Sequence, residues 1–274
     1  RWNAIAKPLN SLGQLEKMIV RMAGIQGSDR VCASPRCVLV FCADNGVICE
    51  GVSQSGSEVT ALVAHSIAEG TSNINLMAQA VGADVFAVDM GMMRRVEHPS
   101  LIDRHVMDGT DNIAEGPAMT RAQAEQAVQA GFELVGEKKR AGYRVIATGE
   151  MGIGNSTTSS AVIAALAGLE PALVTGRGAG LSDEGLARKT EVIRRALNVN
   201  RPDPRDALDV LAKVGGLDLA GMMGAYLGGA YYRVPVVIDG LISSAAALLA
   251  ARYYPVAREY MLASHVSREP AGQM

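Results

Sequence analysis

The stretch "RVIATGEMGIGNSTTSSAVIAALAGL", Arg144 to Leu169, decides how the chain is to be read. It begins as an apolar, strand-like run, breaks at Glu150 among Gly149, Gly152 and Gly154, and passes through Asn155, Ser156, Thr157 and Thr158 into an alanine-rich helical pattern. A strand that turns straight into a helix is the repeating unit of a parallel sheet, because parallel neighbours need a crossover between them. The glycines permit a tight turn and close backbone approach, and Asn155 or Ser156 is placed to cap the following helix. A phosphate or ribose can sit against such a turn; so can nothing more than a closely packed helix. The stretch lacks the Gly-Lys-Ser/Thr ending of a P-loop and does not match the dinucleotide fingerprint.

The same unit recurs outward in both directions. Apolar runs lie in "RCVLVFCADNG" (36–46), "ADVFAVDMG" (83–91), "PALVTGRGAG" (171–180) and "VPVVIDG" (234–240). Helical patterns alternate with them, from about Glu58 to Ala80, from Arg121 to Arg140, from Thr157, from Asp183 and from Ile242. Ahead of the first run, "SLGQLEKMIVRMAGI" (11–25) spaces Leu12, Leu15, Ile19 and Met22 as an amphipathic helix, with Ser11 and Gln14 matching a capping box. Repeated alternation predicts a largely parallel sheet with helices on both faces. Asp44, Asp89, Glu150 and Asp239 each lie just past or at the end of an apolar run with a glycine one or two residues on. One such acid is usually an ordinary turn residue. Several of them, with "TGRGAG", point to one crevice beyond the carboxyl ends of the strands.

Composition narrows the function. At 274 residues and 49% hydrophobic, the chain can bury a sizeable core. A net charge of −2 with scattered acids and bases offers no basic stripe for nucleic acid. No apolar run approaches the roughly 18 residues of a membrane span, since "SSAAALLAARYY" meets Arg252. Cys32, Cys37, Cys42 and Cys49 lack zinc-pair spacing; Cys37 and Cys42 bracket "VLVF" as small buried hydrophobes, and free thiols fit a reducing cytoplasm. His65, His98, His105 and His265 form no ligand pair, there is no Gly-x-Ser-x-Gly elbow, and the thirteen methionines fall mostly on apolar helical faces.

Two further segments carry chemistry. In "TGRGAGLSDEGLARK" (175–189) alternate glycines precede a helix capped by Ser182, with Lys189 about two turns in. A helical lysine is ordinarily a solvated surface group, but behind a glycine loop it can complete an anion clamp without metal. "VGGLDLAGMMGAYLGGAYYRVPVVIDGLISSAA" (214–246) is rich in small residues, which either pack helices closely or leave room for a planar ligand. Its Asp218 and Asp239 need donors if buried, supplied by ribose hydroxyls or by backbone amides.

Taken together, "CADNGVICEGVS", "NIAEGPAMTRAQAE", "GEMGIGNSTTSSA", "RPDPRDALDVLAKVGGLDLAGMMGA", "VIDGLISSAAALLAA" and "ASHVSREPAG" resemble the nicotinate-nucleotide:5,6-dimethylbenzimidazole phosphoribosyltransferases, over nearly the whole chain and in the same order. The resemblance implies a Rossmann-like α/β catalytic domain over 31–274 and an N-terminal helical segment over 1–30 that forms part of a small helical subdomain. It implies a cytoplasmic enzyme that moves phosphoribose from nicotinate mononucleotide to a benzimidazole nitrogen, with inversion, in assembling the lower loop of cobalamin, and that needs no metal or cofactor. It places Ser55 and Val63 at the aromatic base, and Glu150, Gly152, Asn155 and Ser156 at the ribose and phosphate. Gly176, Gly178 and Lys189 fall at the 5′-phosphate, and Asp218, Asp239, Gly240, Ser243 and Ser267 complete the crevice. Glu150 serves as an electrostatic and hydrogen-bonding partner of the ribose. The family's general base is a glutamate in a Gly-Glu-Gly segment beyond Met274, so the sequence reads as part of a longer chain. Val63 replaces a glutamine found in some members, and "KPLNSLG" departs from the usual Pro-Pro-Gly-Ser-Leu-Gly. A homodimer or family heterodimer is implied; the alternative function is a non-catalytic or phenol-activating partner subunit.

Overall fold

The computed structural model describes residues 4–273; the first three residues of the expected N-terminal segment and Met274 lie outside them. Six strands form one sheet: β1 (Arg36–Ala43), β2 (Ala83–Gly91), β3 (Ile102–Asp103), β4 (Val145–Met151), β5 (Val236–Ile238) and β6 (Met261–Ala263). Their order is β3-β2-β1-β4-β5-β6 and every adjacent pair is parallel. The chain runs from β1 outward to β3, then returns to lay β4 on the other side of β1. β1 and β4 pair with Phe41 opposite Glu150 and Cys42 opposite Met151. Loops leaving adjacent strands on opposite sides of such a switch point open a crevice between them.

Ten helices surround the sheet among the described residues: α1 (Gln14–Gln26), α2 (Glu58–Glu69), α3 (Asn73–Ala80), α4 (Arg121–Arg140), α5 (Asn155–Ala167), α6 (Pro171–Val174), α7 (Asp183–Asn200), α8 (Ala207–Val214), α9 (Leu217–Tyr232) and α10 (Leu241–Tyr253). Alternation along β1 divides the core. Cys37, Leu39 and Phe41 face the large cluster with residues of α4, α5, α9 and α10, while Val40 and Cys42 face Ala64 and Ile67 of α2. The small residues of α9 serve helix packing. A Cβ on Gly224 would stand 1.9 Å from the Val128 carbonyl oxygen, and one on Gly131 of α4 would stand 1.9 Å from that of Gly221. Backbone meets backbone there, leaving no room for a planar ligand.

Several local expectations fail for identifiable reasons. The pattern from Glu58 to Ala80 is two helices, because Gly70 adopts φ 82° and its N–H, with that of Thr71, turns back onto the Ile67 and Ser66 carbonyls. "PALV" is the short helix α6 rather than a strand; Pro171 presets the first turn, and its carbonyl accepts both the N–H and the hydroxyl of Thr175. Ser11 and Gln14 do not form a capping box. Gly13 is the N-cap of α1, and the Glu16 carboxylate instead accepts the Leu12 N–H at 3.3 Å. Neither Asn155 nor Ser156 caps α5, whose N-cap is Gly154 at φ 95°. Ser182 does cap α7, accepting the Gly185 N–H at 3.2 Å.

The α4–α9 contact gives a direct test. Gly224→Ala forces a methyl into a carbonyl and should lower stability by about 1–3 kcal/mol, a fall of several degrees in Tm. Gly24→Ala, with nothing within 4 Å of the added carbon and a helical backbone, should be neutral or raise Tm slightly. Differential scanning calorimetry that finds the two variants alike contradicts this packing.

Candidate active site

The turn after β4 is shaped by what crowds it. A Cβ on Gly152 would lie 2.6 Å from the Ala43 carbonyl oxygen and 2.9 Å from an Asp218 carboxylate oxygen, so only glycine lets β4 pass so close to the end of β1 and the start of α9. Gly154 then reverses the chain in the left-handed region, where glycine carries no penalty. The first residue of α5, Asn155, consequently points back under the turn. Its Nδ2 donates to Glu150 Oε2 and to Asp218 Oδ2, the latter at 3.0 Å.

This cluster is poor in positive charge. Asp218 has no exposed surface, and its Oδ1 accepts its neighbour's backbone N–H from Leu219 at 2.9 Å. Burial first, and the nearby Asp44, push its pKa up to about 6 despite the hydrogen bonds from Asn155 and backbone. Glu150 stands half-buried at the crevice wall; burial, then the charges of Asp218 and Asp239, push it up to about 7 against the Asn155 hydrogen bond. Among the described residues, neither carboxylate has an ion-pair partner. Asp44, beyond β1, is buried with Oδ2 accepting the Met93 N–H at 2.8 Å, while Oδ1 has no hydrogen-bond partner. Asp89 is a turn residue: its Oδ1 accepts the N–H groups of Gly91 and Met92.

Two cavities flank this turn, one walled by β4 up to Met151 and the other by the chain from Gly152. A small one of about 230 Å³ is walled by Gly152, Gly154, Asn155, Ser156, Arg177 and Gly178. Lys189 lies beneath it with 1% of its surface exposed, donating to Ser156 Oγ at 3.0 Å and to the Gly176 carbonyl at 3.1 Å. Its depth pulls the ammonium pKa down to about 8, with Glu269 opposing that fall. Gly178 adopts φ 53°, and a Cβ on it would approach Ser156 Oγ to 2.9 Å. A larger cavity of about 630 Å³ is walled on its apolar side by Val40, Val63, Ile67 and Ile74, and reaches Glu150 and Asp239.

The predicted residues therefore distribute unevenly. Glu150, Gly152, Asn155, Ser156, Gly176, Gly178, Lys189 and Asp218 surround the small cavity or the carboxylate cluster, and Val63 and Asp239 wall the large one. Gly240 is the N-cap of α10 with open space around it. Ser55 is exposed on the loop before α2. Ser243 is buried between α9 and α10, its hydroxyl against Met222 Sδ and its carbonyl accepting the Tyr226 hydroxyl. Ser267 accepts the Glu269 N–H at 3.2 Å. Sequence reasoning misses Asn45, which accepts the Thr158 hydroxyl beside the cluster, although it directly follows Asp44 at a strand end. It also misses Glu269, whose carboxylate fills the place a side chain on Gly176 would take. No group of three or more histidine, cysteine or acidic side chains placed to hold a metal occurs among the described residues.

A parallel sheet in this strand order, with acidic side chains and a lysine-backed glycine turn at the switch point, defines a Rossmann-like α/β protein whose candidate site lies beyond the carboxyl ends of β1 and β4. The chain belongs to the DBI_PRT phosphoribosyltransferase family, whose model matches residues 1–274. It is 49% identical over 270 residues to the nicotinate-nucleotide–dimethylbenzimidazole phosphoribosyltransferase of Roseiflexus sp. (strain RS-1), covering 98% of this chain and 76% of that protein. Identity to the enzyme of the same name from Ruminiclostridium cellulolyticum is 44% over 273 residues, covering 100% of this chain and 78% of that protein. The crystal structure of CobT from Thermus thermophilus superposes with a TM-score of 0.94 at 40% identity, covering 99% of this chain and 81% of that one.

The raised carboxylates fix a pH dependence of stability. A group whose folded pKa lies above its unfolded value binds more protons in the folded state, so its stabilising effect is full at low pH and is lost as pH rises through the folded value. For Glu150 that loss falls between about 4.5 and 7. Glu150→Gln removes the buried charge and should raise the Tm of the unliganded protein at pH 8 while changing it little at pH 5. A gain equal at both pH values in thermal unfolding contradicts this assignment.

Proposed function

We infer that the protein transfers phosphoribose from nicotinate mononucleotide to 5,6-dimethylbenzimidazole or a related lower-ligand base, giving the α-ribazole 5′-phosphate and nicotinate. The observation that carries the reading is the pair of cavities flanking the turn after β4: a small glycine-walled pocket backed by Lys189, and a larger apolar one with Glu150 in its wall, bridged by the hydrogen bond from Asn155 to Glu150. The names carried by the relatives agree with it.

In this reading the 5′-phosphate lies against the Gly176–Gly180 loop, with Lys189 as its cation. The ribose stands over the turn after β4 and the aromatic base enters the apolar cavity beside Val63. As the bond from the anomeric carbon to the nicotinate nitrogen breaks, positive charge develops on the sugar. Ionised Glu150 stabilises that charge through a medium poor in water. The azole nitrogen bonds to the opposite face of the same carbon, inverting it, and its other nitrogen gives up a proton. In this reading Glu150 faces the sugar and is not the acceptor of that proton, which passes to a separate base.

The rival reading, a non-catalytic or phenol-activating partner subunit, is not favoured, since relatives at 40–49% identity carry the azole enzyme's name. No helix of the described residues is long and apolar enough to cross a membrane. A cytoplasmic location is proposed from the free thiols of all four cysteines. A homodimer or family heterodimer is proposed as well: Leu12, Leu15 and Val20 of the N-terminal segment are about half exposed, an apolar edge suited to a neighbour. Sedimentation giving a fully active monomer at micromolar concentration contradicts it.

Lys189→Ala should weaken nicotinate mononucleotide binding by about 1.5–3 kcal/mol, the worth of one hydrogen bond to a charged group, while leaving free dimethylbenzimidazole nearly unaffected. Calorimetry with both ligands decides this. Equal losses would mean that the lysine holds the fold and not the phosphate.

A further inference from the structure

We propose that Asn155 is a positioning residue of the reaction: its single amide group, donating one hydrogen to Glu150 and the other to Asp218, favours the ionised form of both carboxylates and keeps the Glu150 carboxylate turned to the sugar. This rests on the reading of Glu150 given above. It departs from a role for Asn155 as a direct substrate ligand.

The geometry leaves the amide nitrogen little choice. Asn155 is buried, and Nδ2 has two hydrogens, both directed at carboxylate oxygens. The position is fixed from behind by Gly154 in the left-handed region and by the Asn155 carbonyl, which accepts the Thr158 hydroxyl at 3.1 Å. The groups facing the pair are all acidic or neutral. Glu150 of β4 faces Asp218 of α9, Asp239 beyond β5 and the Cys42 thiol of β1; Asp218 faces Glu150 and Asp44 beyond β1. Burial holds the Cys42 thiol protonated. Two carboxylates bridged by one donor compete for ionisation, because one charge raises the other's pKa. A neutral donor bonded to both opposes that without adding a cation, which would quench the negative charge the sugar requires.

Removal of the amide should therefore raise the protonated fraction of the pair at neutral pH. The effect on the reaction is specific: kcat falls, KM for nicotinate mononucleotide changes little, and the lost rate returns as pH rises. The test is the kcat–pH profile of the whole protein from pH 6 to 9.5 for wild type, Asn155→Ala, Asn155→Ser, Glu150→Gln and the double variant Asn155→Ala/Asp218→Asn. Asn155→Ala should move the acid limb up by about one pH unit, about a tenfold loss below the limb, with recovery at pH 9. Asn155→Ser, the smaller change should the alanine variant fail to fold, should shift the limb by less. The double variant, with one of the two competing charges gone, should return the limb toward that of wild type.

A pH-independent loss in both Asn155 variants, or a raised KM with kcat intact, overturns the proposal in favour of a purely structural or a substrate-binding amide. So does the absence of rescue in the double variant. Glu150→Gln separates this from the underlying reading. If that variant keeps full activity, Glu150 has been misassigned; if it loses activity while the Asn155 profiles are flat, only the inference about Asn155 fails.

Discussion

Everything in the crevice depends on the pairing of β1 with β4. That register, Phe41 against Glu150 and Cys42 against Met151, brings two strand ends from opposite halves of the topology side by side. The backbone of Ala43 then comes so near β4 that Gly152 can carry no side chain. The chain has to turn in the left-handed region at Gly154, and Asn155 is thereby committed to the interior. Asn155, the first residue of α5, caps nothing; its side chain turns back under the turn to Glu150 and Asp218.

From that constraint comes an unusual charge arrangement. Buried acids are generally paired with cations, but Glu150 and Asp218 are held by a neutral amide and by backbone N–H groups. Lys189, the buried cation of the site, is spent on Ser156 and the Gly176 carbonyl at the other end of the small cavity. The carboxylates and the ammonium thus have separate partners, where the proposed reading puts the ribose and the phosphate. That separation destabilises the empty protein, since both carboxylates and the ammonium are pushed toward their neutral forms. In the proposed reading, an anionic phosphate on one side and a sugar gaining positive charge on the other would relieve both.

The alternation of apolar runs and helical patterns is enough to read the parallel sheet, because period and crossover length are local properties of the chain. The exceptions are also local, but of a kind that pattern alone does not rank. "PALV" has strand composition, yet Pro171 and the Thr175 hydroxyl settle it as a turn of helix. Gly70 divides a continuous apolar pattern by its φ alone. The capping box of α4, formed by Thr120 and Gln123, is present in the sequence, while Ser11 and Gln14 offer the same signal without forming one. In the site, residues next to glycine turns are legible because few residue types tolerate such turns. Asn155 is legible as a member of the turn but not in its direction, which depends on Ala43 and Asp218, both distant in the chain. The placement of Glu269 over Gly176 likewise depends on β6 and the segment after it, which no spacing near either residue reveals.

If one nucleotide spans the two cavities with its sugar at Glu150, a crystal structure of the protein with nicotinate mononucleotide shows it most directly. The phosphate is expected within hydrogen-bonding distance of Lys189 Nζ and the Gly178 backbone, the ribose against Glu150, and the pyridine ring directed into the apolar cavity beside Val63. A phosphate bound elsewhere, or a ribose with no contact to the β4 turn, would contradict it.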